Sequence, residues 1–215
     1  MSSQQDRAAE RKERRQREIQ ERRANRKVTG VKQERNKSVV KISLIMAGVL
    51  LSVLVVYFVY SIVADWRERR PPDGVTEYTG LTNFHTQGTV AYEQSPPVGG
   101  DHNPVWQNCG FYTLPLINEH AVHSLEHGAV WITYQPNLPT EQLDVLRAYA
   151  EKSYVLVSPY PDGLNSPIVA SAWGLQMEFQ DATDEDLERF INAYRQGPQT
   201  LEPGAVCHGG TSATR

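Results

Sequence analysis

All six histidines of this 215-residue chain lie in its C-terminal two thirds, at His85, His102, His120, His123, His127 and His208. Three of them fall in one short stretch, Ile117-Asn-Glu-His-Ala-Val-His-Ser-Leu-Glu-His127, with the spacing i, i+3, i+7. In a helix these three project from one face, and His123 with His127, four residues apart, can chelate one metal ion. His102, in the loop Gly99-Gly-Asp-His102-Asn-Pro, can deliver a third ligand. Imidazole suits copper and zinc alike, so the expected cofactor is an ion of either kind. His85 and His208 stand alone and read as histidines satisfied by ordinary hydrogen bonds.

The string His123-Ser-Leu-Glu126-His127 also fits H-x-x-E-H, in which two histidines hold zinc and the glutamate is the general base. A zinc hydrolase with Glu126 as its base is therefore an alternative. Peptidases of that kind use a longer helix than Gly128 allows, and a further carboxylate downstream. Glu178, Glu185 and Glu188 are available for that role, and nothing singles one out. There is no Gly-rich phosphate loop and no G-x-S-x-G elbow, which argues against nucleotide-driven work and the common serine-hydrolase arrangement.

The two cysteines, Cys109 and Cys207, belong to the same C-terminal part. An oxidising compartment favours a disulfide between them; the rival is a pair of thiolate ligands, with His208 directly after Cys207. Met177 and the cysteines would favour Cu(I) if they faced the site, since thioether and thiolate are soft ligands. Met177 in Gln-Met-Glu-Phe reads more simply as a core filler. Trp106, Trp131 and Trp173 read as core or cleft walls.

Positioning these residues requires a compact domain, expected over residues 101–210 with a short tail at 211–215. His127 to Tyr134 is rich in β-branched and aromatic residues and predicts a strand closed by Pro136; Tyr154 to Val157 predicts a second. A third run starts at Ile168 and reaches Trp173 or continues to Phe179, and Thr89 to Glu93 can form a first strand. Thr140 can cap a helix carrying Leu143, Leu146 and Tyr149. Thr183 can cap another carrying Leu187, Phe190, Ile191 and Tyr194 at i, i+3, i+4, i+7. The order predicts an α+β fold, a small mixed sheet with flanking helices. Residues 64–100, with Pro71-Pro72-Asp-Gly74 and Pro96-Pro97-Val-Gly-Gly100, read as a stalk and domain entrance.

Charge divides the chain. Residues 1–41 carry a net +8 and residues 64–215 a net −11. Between them, residues 42–63 hold no charge, and 22 residues at 1.5 Å each reach about 33 Å, enough for a bilayer core of about 30 Å. A wholly soluble protein is excluded. The span is too long and too far from the start for a cleaved signal peptide, which points to an uncleaved signal anchor. Lys27, Lys32, Arg35, Lys37 and Lys41 before the span place the amino terminus in the cytoplasm and the C-terminal domain outside, against a smaller contribution from Arg67, Arg69 and Arg70. The basic tail predicts a solvated helix, with Glu10–Arg14, Glu13–Arg17 and Glu18–Arg22 at i,i+4 spacing. Attraction to anionic lipid heads is its expected partnership, with nucleic acid not expected.

Pro96-Pro97-Val-Gly-Gly-Asp-His102, Trp106-Gln-Asn-Cys-Gly110 and Ala121-Val-His-Ser-Leu-Glu-His-Gly-Ala-Val-Trp-Ile-Thr-Tyr134 together resemble the bacterial family catalogued as domain of unknown function 3105, over roughly residues 80–209. The family pattern reads Pro-Pro-x-Ser-Gly-x-His, so Gly99 stands where Ser is typical while His102 matches. His120 lies outside the pattern. The resemblance implies a membrane-anchored protein and no established reaction, and it turns the expected ligands to His102, His123 and His127. Glu126 is then expected to orient an imidazole from behind. A metal-free module binding another cell-envelope protein is the remaining alternative.

Overall fold

A computed structural model of the protein describes the backbone of residues 2–215 and the side chains of residues 14–27, 29, 39–66 and 69–215. The chain divides into two units, one ending at Val63 and one spanning Ala64–Arg215.

The first is dominated by helix α1 (Ser2–Glu68). Its stretch Val39–Trp66 is, among the described residues, the one helix long and apolar enough to cross a membrane, and none of it is buried. Ser43, Ser52 and Ser61 each donate to a carbonyl three residues earlier, those of Val40, Val49 and Phe58. Each hydroxyl is thereby satisfied within the helix itself. The pairs expected of Glu10 with Arg14 and Glu13 with Arg17, and the side chains of Lys32, Arg35, Lys37 and Arg67, lie outside the described residues.

The second unit is α+β. In chain order it contains β1 (Thr76–Glu77), β2 (Gly110–Phe111), α2 (Asn118–Glu126), β3 (Val130–Tyr134), α3 (Thr140–Ala150), β4 (Val155–Pro159), β5 (Ile168–Ala172), β6 (Leu175–Phe179) and α4 (Glu185–Tyr194). The sheet is mixed, in the order β1-β6-β5-β3-β4-β2. Strand β4 runs parallel to β3 and β2, while β5 is antiparallel to β3 and β6.

Strand alternation assigns each residue to a face. Val130, Ile132 and Tyr134 of β3, Val155 and Val157 of β4, and Ile168, Ala170 and Ala172 of β5 pack with Leu146 of α3 and Leu187, Phe190 and Ile191 of α4. The intervening residues Trp131, Leu156 and Val169 face the other way, against Ala121, Val122 and Leu125 of α2. Each of these large apolar side chains contributes about 1.5–3 kcal/mol by leaving water. Two polar groups that the strands turn to the α2 face are paired: Trp131 Nε1 donates to Ser158 Oγ at 3.0 Å and Thr133 Oγ1 to the Val169 carbonyl at 3.0 Å.

Several expectations shift. Residues 168–179 form a hairpin, β5 and β6, with Trp173-Gly174 at the turn and Gly174 at φ +69°. Strand β3 begins at Val130, because Gly128 at φ +88° ends α2 first. Residues 89–93 form no strand. Helix α3 has Pro139 rather than Thr140 at its cap, and α4 is capped by Asp184, whose carboxylate accepts from the Asp186 amide at 2.9 Å. The supposed stalk is built into the domain: β1 pairs with β6, and Pro97 and Val98 are buried. The tail is built in as well, since Thr211 bridges Gln107 and Thr214 bridges Leu116.

Candidate metal centre

Helix α2 sets the site. At about 100° per residue, Val122 and Leu125 face the sheet, while Glu126 and His127, three and four residues beyond His123, lie to either side of it. His123 thus stands at a fork. It keeps this place although α2 stops at Glu126, because His127 is the helix cap and still holds right-handed backbone angles.

The C-terminal segment closes the open end of the helix. The Glu202 amide donates to the Glu126 carbonyl at 3.2 Å, the Gln196 amide to the Gly128 carbonyl at 2.8 Å, and the Gln196 side chain to the His127 carbonyl. These contacts satisfy carbonyls that a helix end would otherwise leave unpaired, and they bring Glu202 to His127. The Cys109–Cys207 disulfide, with Cα atoms 5.5 Å apart, anchors the segment. Both cysteines are therefore removed from the list of thiolate ligands.

Two loops complete the cluster. Residues 84–86 pair with His102: the His102 amide donates to the Phe84 carbonyl at 3.0 Å and the Thr86 amide to the His102 carbonyl at 2.7 Å. This places His85 against His102 and His123, with ring centroids 5.0 and 4.9 Å away. His102 and His123 are 4.8 Å apart, and His123 and His127 4.6 Å. Trp106 packs against His123 and His127, and Trp173 against His102.

The hydrogen bonds fix the tautomers. Nδ1 of His102 meets the Gly100 carbonyl at 2.8 Å, Nδ1 of His123 the Asn103 carbonyl at 2.6 Å, and Nδ1 of His127 the Val206 carbonyl at 2.8 Å. A carbonyl only accepts, so each Nδ1 carries the proton and each neutral ring offers one electron pair, on Nε2. This is the arrangement that orients metal-binding imidazoles. Burial, opposed by the Asn103 hydrogen bond and assisted by neighbouring His127, His102 and His85, pushes His123 down to about 4. Its ring is neutral at physiological pH.

Two sets of donor atoms result, each within 4.8 Å of one another: His85, His102, His123 and Glu126, and His123, His127 and Glu202. In the first, Glu126 Oε2 lies 2.9 Å from His102 Nε2 and 3.8 Å from His85 Nε2, and Asn83 Nδ2 donates to Oε1 at 3.0 Å. With Nδ1 of His102 committed, two acceptors face each other at 2.9 Å, and a proton or a metal ion must lie between them. In the second, Glu202 Oε2 is 3.4 Å from His127 Nε2. Tetrahedral zinc with bonds of 2.0–2.1 Å separates its ligands by about 3.3 Å, so side-chain movements of about an ångström would close either set.

Of the residues singled out by sequence, His102 joins His123, and His123 joins His127, but His102 and His127 fall in different sets. Glu126 lies against Nε2 of His102, the nitrogen that an ion would use, and is one of the groups that could hold it. His120 turns its Nδ1 to the Val105 carbonyl and enters neither set. Met177 packs on the α3/α4 side of the sheet, away from the α2 face. His208 is exposed and also outside both sets. His85 and Glu202 were not singled out. No periodicity marks them, since both lie in irregular segments positioned by long-range pairing.

A family model described as a protein of unknown function, DUF3105, matches residues 84–209, which contain every one of these donors. No curated protein and no solved structure matches the chain.

Proposed function

We propose, for a chain that belongs to the DUF3105 family of proteins of unknown function, that it is a single-pass membrane protein whose extracytoplasmic domain binds a zinc or copper(II) ion. One observation carries this reading: three buried histidines commit Nδ1 to backbone carbonyls, which leaves Nε2 as the one ring nitrogen for a ligand, that of His102 lying against the buried Glu126 carboxylate. Packing alone does not call for such an arrangement, whereas a metal site does. The donors are imidazole and carboxylate, with no thiolate or thioether among them, a combination suited to zinc and copper(II) rather than copper(I). The disulfide supports an oxidising compartment for the domain. The basic residues ahead of the apolar helix support a cytoplasmic amino terminus beside anionic lipid.

The binding set is His85, His102, His123 and Glu126. Glu126 is engaged on both oxygens, by Asn83 and His102, which supports a ligand role over that of a base activating water. The two roles separate in Glu126→Gln. A ligand role predicts weaker metal binding, whereas a hydrolase would retain metal and lose turnover.

The test is metal content by elemental mass spectrometry of the full-length protein purified from membranes, beside His102→Ala/His123→Ala. Near-stoichiometric zinc or copper, lost in the double variant, is expected. Protein that stays empty after incubation with both ions overturns the reading and leaves a metal-free partner-binding module in its place. A reporter fused to either terminus checks the orientation.

A further inference from the structure

Resting on that metal-binding reading, the geometry points to a second cation position on His123, His127 and Glu202 that alternates with the first and is where the ion is exchanged. His123 belongs to both donor sets. Its Nδ1 is held by the Asn103 carbonyl, which leaves a single electron pair on Nε2. One electron pair binds one ion. The two sets therefore cannot both be complete, and a filled domain holds one ion rather than two.

The sets differ in a way that divides the work. The first offers four protein donors, the closed arrangement of a holding site, with His102 fully buried. The second offers three, which leaves a coordination position open to an incoming ligand. Each set has one member at the surface, the His85 side chain at 48% exposure in the first and the Glu202 side chain at 51% in the second, so it is the number of donors that separates them. An ion leaving His85, His102 and Glu126 keeps His123 throughout, gains His127 and then Glu202, and at no step is it without protein ligands. The four rings form a continuous series, with centroid spacings of 4.6–5.0 Å. Trp106 lies along the His123–His127 end, and a Cβ on Gly210 would come within 2.8 Å of it, so the tail fixes this wall in place. The cargo is a divalent transition-metal ion, and the recipient a molecule that supplies a ligand to the open position.

The experiment uses full-length protein in detergent, saturated with Co²⁺ or Zn²⁺, and measures bound stoichiometry and the rate of release to excess chelator. One ion per chain is expected. Glu202→Gln and His127→Asn should slow release about tenfold. His102→Ala should still bind one ion, more weakly, at the second position. Glu202, being exposed, can be replaced without risk to folding, so the test stands if the His127 variant does not fold. Two ions per chain, or wild-type release rates in both variants, overturn the relay while leaving the metal site intact. Wild-type protein that binds no ion overturns both.

Discussion

Glu126 and His127 are consecutive in the chain yet join different donor sets, because they lie three and four residues beyond His123 and so flank it on opposite sides. A single helical turn thus produces a branched site. Substitutions here should act on one branch at a time, except at His123 itself.

Removing His102 should be costly for the metal-free fold. Its ring is fully buried and bonds both the Gly100 carbonyl and Glu126, so His102→Ala leaves a cavity and takes a partner from a buried carboxylate. A loss of about 2–4 kcal/mol is expected in urea unfolding. Adding Glu126→Ala should cost less than the sum of the two changes, by about 1–3 kcal/mol.

Acid should weaken the metal-free protein through His123. The folded value is about 4 against 6.5 for the free side chain, so the fold favours the neutral ring. Stability is then full above pH 6.5. It falls by up to about 1.4 kcal/mol per pH unit towards pH 4, where the unfolded chain takes up a proton that the folded one refuses. Denaturant midpoints at pH 7, 6 and 5 should show this slope, and His123→Asn should flatten it.

Reduction of the disulfide should release the segment that positions Glu202 and the Val206 carbonyl. The bridge closes a separation of 98 residues, for which the chain-entropy estimate is about 4.7 kcal/mol as an upper figure. A clear fall in melting temperature is expected with reductant or in Cys109→Ser/Cys207→Ser. If melting is unchanged by either, the segment is held by its hydrogen bonds alone.

Gly128→Ala should destabilise by more than about 1 kcal/mol. Its φ of +88° disfavours any side chain, and a Cβ would meet Gln196 and Thr200 at 2.6 Å. Thermal unfolding checks this.

The parts of this structure that could be read in the sequence are those governed by local composition and spacing. The β-branched and aromatic run ending at Tyr134 and the apolar run Tyr154–Val157 placed β3 and β4, and the i,i+4 spacing brought His123 to His127. The apolar faces of α3 and α4 were equally plain, although neighbouring residues took over both caps. His85 and Glu202 were hidden for the opposite reason. His85 arrives through the pairing of residues 84–86 with His102, and Glu202 through carbonyls at the end of α2, so neither has a signature in its own neighbourhood. Met177 failed as a ligand candidate on parity alone, since strand alternation sends it to the far side of the sheet. The separation of residues 64–100 as a stalk rested on Pro and Gly content, which marks turns but does not show whether they fold onto a domain.

The ties between α2 and the last part of the chain bear on biogenesis. Because Val206 orients His127 and Glu202 completes the second donor set, a growing chain that has emerged only as far as α2 has histidines but no finished exchange site. On the proposed relay, loading through Glu202 would await synthesis of the chain as far as Cys207, so the ion would go to the folded domain and not to a chain that has emerged only as far as α2.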